Sequence, residues 1–170
     1  MSTRRIHLIT TGGTIEKRYV ENRGVVDNRE PQIRRALGML RLPDTVIDVQ
    51  ELMNKDSLLM TDEDRLLIVD AVRNVEPGVP VVVTHGTDTM VQTGLAIAST
   101  LDPLTIPVVL TGAMTPFGIE GSDALQNLTE ALLAASLVKP GVYIAVHGEI
   151  HPIREVRKDV ESSRFMRISE

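Results

Sequence analysis

Val81, Val82 and Val83 are three consecutive β-branched residues within the apolar run Val79–Thr84. A strand with one wet face alternates apolar with polar side chains. A run that is apolar at every position reads instead as a strand covered on both faces, the situation of a parallel sheet between two layers of helices. Ile106–Leu110 and Val142–Val146 carry the same signature, and Ile6–Thr10 and Val46–Leu52 read as two earlier strands. Between the runs the apolar period changes to that of helices. Ile33, Leu37 and Leu40 follow Pro31 on one helical face, and Ile68, Ala71, Val72 and Val75 fall at i, i+3, i+4 and i+7. Leu95, Ala98 and Leu101, and then Leu125, Leu128, Leu132 and Ala135, continue the pattern. Thr61 with Asp64 three residues on has the form of a capping box, and Pro77-Gly78 and Pro140-Gly141 are stop signals. This alternation predicts an α/β fold: a doubly wound, Rossmann-like, mostly parallel sheet with helices on both faces. With 170 residues and no interior linker rich in Pro, Gly or Ser, the expectation is one domain over residues 1–170.

Composition excludes several classes of function. A formal net charge of −5 argues against an electrostatic nucleic-acid binder, and four aromatic residues without Trp leave no stacking platform for bases. There is no cysteine, hence no disulfide framework and no thiolate chemistry. No apolar run approaches the roughly 18 residues of a membrane span, and the run after Met1-Ser2-Thr3-Arg4-Arg5 is too short for a signal peptide, so the cytoplasm is the expected compartment.

Three predicted strands end in similar turns: Thr11-Gly12-Gly13-Thr14, Thr84-His85-Gly86-Thr87 and Thr111-Gly112-Ala113. In a parallel sheet these turns share the carboxyl edge, where ligands bind in open α/β folds. No phosphate-binding loop, no G-x-S-x-G elbow and no metal-ligand spacing of histidines is present, so neither a cofactor nor a metal is expected. Thr14 offers a hydroxyl that a neighbouring base can turn into a nucleophile. Thr87-Asp88 sets a hydroxyl beside a carboxylate, although Asp88 equally suits the cap of the following helix. Asp56-Ser57 on composition is a turn, in a predicted loop over residues 54–60. Lys158, among Arg154, Glu155, Arg157, Asp159 and Glu161, has the look of a solvated charged face within a polar tail running from His147 to Glu170. Glu16–Asn28 is polar and aperiodic and reads as a long loop, with Tyr19 an exposed loop aromatic.

Taken together, Thr11-Gly12-Gly13-Thr14-Ile15 and His85-Gly86-Thr87-Asp88-Thr89-Met90, in this order, resemble the bacterial-type L-asparaginases. The resemblance continues through Asp56-Ser57, Thr111-Gly112-Ala113-Met114 and Arg154-Glu155-Val156-Arg157-Lys158. It covers nearly the whole chain but only the amino-terminal half or so of a typical member, implying a short, single-domain form without the family's second, smaller domain. By position it implies that Thr14 accepts the acyl group and that Thr87, Asp88 and Lys158 form a second catalytic cluster. It also implies that Tyr19 is a lid tyrosine activating Thr14, and that Asp56 and Ser57 hold the α-amino and α-carboxylate groups of the substrate.

Amide hydrolysis needs a nucleophile, a proton acceptor and donors for the oxyanion. A buried, neutral Lys158 would be such an acceptor, and the turn at Gly13, the amides of Gly86–Asp88, or Ala113 would line the substrate and the oxyanion. The expected activity is therefore cofactor-free hydrolysis of L-asparagine to L-aspartate and ammonia through a threonine acyl-enzyme. A homo-oligomer, dimer or tetramer, and closure of the segment 16–28 over the substrate are further expectations. One rival is a glutaminase-asparaginase or another small-amide hydrolase, since one methylene in a pocket is worth only about 1–3 kcal/mol. A second is a non-catalytic sensor of asparagine or aspartate.

Overall fold

The computed structural model describes residues 3–168. Met1 and Ser2 before the first strand, and Ser169 and Glu170 of the predicted tail, lie outside them. The central sheet contains β1 (Arg4–Gly12), β4 (Thr45–Lys55), β5 (Val81–Thr84), β6 (Pro107–Thr111), β7 (Gly141–Val146) and β8 (Glu149–Pro152), in the spatial order β4-β1-β5-β6-β7-β8. All neighbours pair in parallel except β7 and β8, which are antiparallel. The strand order reverses between β4-β1 and β5, so the crevice beyond the carboxyl ends of β1 and β5 is the switch point where ligands bind in such sheets.

The consecutive valines behave as a doubly covered strand must. Val81 and Val83 face one core with Ile68, Met90 and Ile97, whereas Val82 faces the other with Ile6, Leu8 and Leu128. The first core is covered by α2 (Asp62–Arg73) and α3 (Met90–Thr100), the second by α1 (Ile33–Gly38) and α4 (Ala124–Ala135). The capping box at α2 is present: Thr61 Oγ1 accepts from Asp64 N–H, and Asp64 Oδ2 accepts from Thr61 N–H. One feature departs from the usual doubly wound pattern. The steps β5→β6 and β6→β7 move in the same direction across the sheet, yet α3 and α4 lie on opposite faces. The crossover through α4 therefore has the opposite hand to those through α1, α2 and α3, against a strong preference for right-handed connections.

Four expectations are corrected. The segment 16–28 is not a structureless loop. A 3-10 turn (Thr14–Glu16) leads into a short antiparallel hairpin, β2 (Arg18–Val20) and β3 (Val25–Asp27), turning at Gly24 with φ +62°. Its base is fastened by the Glu16 carboxylate, which accepts from the N–H groups of Gln32 and Ile33, and by Asn28 Nδ2, which donates to Gly13 O at 2.9 Å. The polar tail is also structured: β8 closes the sheet edge, and β9 (Val156–Asp159) pairs with β10 (Arg164–Arg167). Ile153, Val156 and Phe165, single apolar residues among charges, enter the first core. Pro31 precedes α1 rather than opening it, and β4 runs on to Lys55 where a loop was expected.

Candidate active site

Glycines bring the strand ends together. At Gly13, φ is +79°, and an added Cβ would lie 2.3 Å from Gly86 N, so the turn after β1 sits directly on the turn after β5. At Gly86, an added Cβ would lie 2.4 Å from Ser57 Oγ, which draws the turn after β4 onto the same point. No L side chain fits either contact, and Thr14 and Thr87 are the residues that immediately follow the two glycines. Thr11 secures the edge from beneath: buried at the end of β1, its hydroxyl donates to Thr84 O at 2.7 Å.

Thr87 is buried, and Lys158 Nζ reaches it from the far end of the chain, donating to Thr87 Oγ1 at 2.8 Å and to Asp88 Oδ1 at 2.5 Å. The Lys158 side chain is only 12% exposed, so it is no part of a solvated face. Along β9 it lies two residues after buried Val156 and so shares its face, and across the hairpin it pairs with buried Phe165, which turns the amine inward. Asp88 is not a helix cap. The N-cap of α3 is Thr89, whose hydroxyl donates to Ser57 O at 2.9 Å.

On the other side of Gly13, Ser57 is buried and Asp56 is half-buried at the head of the 3-10 turn Ser57–Leu59. Lys17 Nζ donates to Asp56 Oδ2 at 2.6 Å, and this bond, with a further one from Leu58 N–H, holds the Asp56 carboxyl below the usual carboxylate range despite some burial. A cavity of about 510 Å³ opens here between the hairpin and the 3-10 turn, bordered by Lys17, Asn28, Asn54 and Asp56. Tyr19 is not drawn in. It is 58% exposed on β2, and its hydroxyl lies 4.0 Å from where a Cβ on Gly24 would sit, toward the tip of the hairpin.

Three residues that sequence reasoning did not single out complete the edge. His85 is wholly buried: its Nδ1 lies 2.7 Å from Gly86 O, which can only accept, so Nε2 accepts from the Thr93 hydroxyl at 2.8 Å. Burial, aided by Arg65, pulls its pKa down to about 4. Asp123 is the N-cap residue of α4, but its side chain turns back rather than capping the helix, accepting from the N–H groups of Met114 and Thr115 and from His147 Nε2 at 2.7 Å. Burial raises its carboxyl, but those bonds prevail and hold it below the ordinary range. Asn127, wholly buried on α4, donates to Gly112 O at 2.8 Å. A helix-opening Asp followed four residues later by Asn was the available signal.

Ala113, at the end of β6, is buried in the core beneath the edge. Asp56, Ser57, Gly13, Thr14, Gly86, Thr87, Asp88 and Ala113 thus all lie at the carboxyl ends of adjacent strands, and Lys158 joins them from β9. Among the described residues no three His, Asp or Glu side chains are grouped to hold a metal ion, and no helix is long and apolar enough to cross a membrane.

Comparison with known proteins gives the family. The family model described as "Asparaginase, N-terminal" matches residues 5–168. An L-asparaginase of Thermococcus kodakarensis is 34% identical over 147 residues, 86% of this chain and 45% of its own length. A component of the glutamyl-tRNA(Gln) amidotransferase of Methanococcus vannielii is 30% identical over 154 residues, 86% of this chain and 35% of its own. The solved thermostable L-asparaginase of Thermococcus kodakarensis superposes with a TM-score of 0.83 at 32% identity, over 96% of this chain and 51% of that one. The chain thus spans about half or less of the length of the proteins it matches. From a family match running through both strand-end motifs to the lysine-bearing hairpin, the chain belongs to the asparaginase family.

Proposed function

We propose that the chain is an L-asparagine amidohydrolase, releasing L-aspartate and ammonia. The observation that carries this reading is the contact of Lys158 Nζ with Thr87 Oγ1 and Asp88 Oδ1, beside the glycine contact that abuts Thr14. In this reading the Thr14 hydroxyl adds to the side-chain carboxamide carbon, and its proton leaves with ammonia. The resulting ester on Thr14 is cleaved by water, whose proton passes to the Thr87–Lys158 pair and then to the departing Thr14 oxygen, restoring its hydroxyl as aspartate leaves. A distance of 2.8 Å is within proton-transfer reach, and Asp88 orients the amine from its other side. Asp56 and Ser57 bind the α-amino and α-carboxylate groups, and Gly86 and Ala113 contribute backbone donors to the oxyanion. With the exposed Tyr19 side chain directed toward the hairpin tip, activation of Thr14 by its phenol requires the hairpin to swing inward as a unit about its fastened base.

Incubating the chain with L-asparagine or L-glutamine and assaying ammonia tests the reading. Ammonia from asparagine well above that from glutamine is expected. Equal release from both makes the chain a glutaminase-asparaginase, and binding of asparagine without ammonia makes it a sensor. The amidotransferase components among the relatives favour a second reading, in which the nitrogen freed from the amide is handed to an acceptor rather than released as ammonia. Free ammonia from the isolated chain, with no acceptor present, counts against it.

A further inference from the structure

The connection from β6 to α4 holds a network that the reaction described above does not use. Asn127 Nδ2 donates to Gly112 O at 2.8 Å and to Asp123 Oδ2 at 2.8 Å, while its Oδ1 accepts from His147 N at 2.9 Å. Asp123, 14% exposed in its side chain, accepts from Met114 N at 3.0 Å, Thr115 N at 2.9 Å and His147 Nε2. Ala113 lies between the two peptide groups so held. In a planar trans peptide the C=O and N–H point in opposite directions. With Gly112 C=O drawn to Asn127, the N–H of Ala113 points away from α4. With Met114 N–H drawn to Asp123, the C=O of Ala113 points away from α4 as well. Neither group is spent on a backbone partner among the described residues. Gly112 itself packs on the end of β5, where an added Cβ would lie 2.3 Å from His85 O.

We propose that Asp123 and Asn127 are positioning residues for the reaction: together they set the two peptide planes flanking Ala113, so that its N–H and C=O are presented to the substrate at the strand edge beside Gly86–Asp88. The proposal rests on the amidohydrolase reading for its chemistry and on the hydrogen bonds alone for its geometry. A buried carboxylate and a buried carboxamide are costly in a fold unless satisfied, and here every bond but those to His147 and within the pair goes to the single turn 112–115. His147, partly exposed, supports the carboxylate from outside.

Asp123→Ala, Asp123→Asn and His147→Gln, made in the full chain, test this by steady-state kinetics and by the amide NMR signal of Ala113 on addition of L-aspartate. Loss of one preorganised donor costs about 10²–10³ in kcat. Asp123→Ala is expected to lower kcat by about 10- to 100-fold with KM little changed, a positioned group having lost its orientation. Asp123→Asn keeps one acceptor oxygen and recovers much of kcat, and His147→Gln stays near wild type. The Ala113 amide is expected to shift with L-aspartate in the wild type and not in Asp123→Ala. A variant less stable but with unchanged kcat and an unchanged Ala113 shift makes the network structural only and overturns the proposal, as does an Ala113 amide that L-aspartate leaves unmoved in the wild type. If the wild type releases no ammonia yet shows the Ala113 shift, the hydrolytic reading fails while the positioning survives.

Discussion

His85 is held neutral at the centre of the edge, and this gives stability a predictable dependence on pH. The unfolded chain takes up a proton on this residue near pH 6.5, whereas the folded chain does so only at about 4. Stability is therefore complete above pH 6.5 and is lost as the pH falls toward 4, by about 3 kcal/mol. Asp56 and Asp123, with lowered values, begin to lose their contribution only as the pH falls below their unfolded range near 4, and Glu16, raised by burial, acts in the opposite sense. Urea unfolding of the wild type between pH 7 and pH 4.5 should show the loss, and His85→Gln should flatten it; an equal slope in both would assign it elsewhere. At this scale the motifs were legible because glycine and threonine at strand ends have few reasons to be there. Lys158 was legible only through the family resemblance. The inward face that it shares with Val156 spans two positions, too short a pattern to stand out against flanking charges.

The strands and helices that could be read from sequence were those long enough to express a period. The hairpin β2–β3 has three residues per strand, and β8, β9 and β10 have four each, so neither alternation nor composition distinguished them from loop. What orders the tail is tertiary. Ile153, Val156 and Phe165 find the core on which α3 packs, and Gly94 on that helix makes the room, since an added Cβ would lie 2.4 Å from Ile153 Cδ1. The amine at the site thus depends on a hairpin anchored by one aromatic ring. Phe165→Ala is expected to cost about 3 kcal/mol, concentrated in β9–β10, and to abolish activity by releasing Lys158. Hydrogen exchange should show lost protection over residues 156–167 with the central sheet still protected. Normal turnover in that variant would mean that the hairpin does not place the lysine.

Over the whole molecule, alternation of strands and helices announced the doubly wound sheet, but no local pattern could report the hand of the α4 crossover. That hand is a relation between distant layers, visible only once α3 and α4 are seen on opposite faces. The crossover leaves a connection of twelve residues, Gly112 to Asp123, at the ligand-binding edge, and the network of Asp123 and Asn127 fixes its first turn. The switch point between β1 and β5 gathers the rest: a threonine after each strand, a lysine returned from the tail, and an acidic turn from β4. The claim that these groups form an amide-hydrolysing site is tested most directly by ammonia release from L-asparagine by the wild type, Thr14→Val, Thr87→Val and Lys158→Met, with circular dichroism to verify folding. The account predicts release by the wild type and a loss of about 10³-fold or more in each variant, because groups that act as a unit fail together. Variants that fold and turn over asparagine as the wild type does would contradict it.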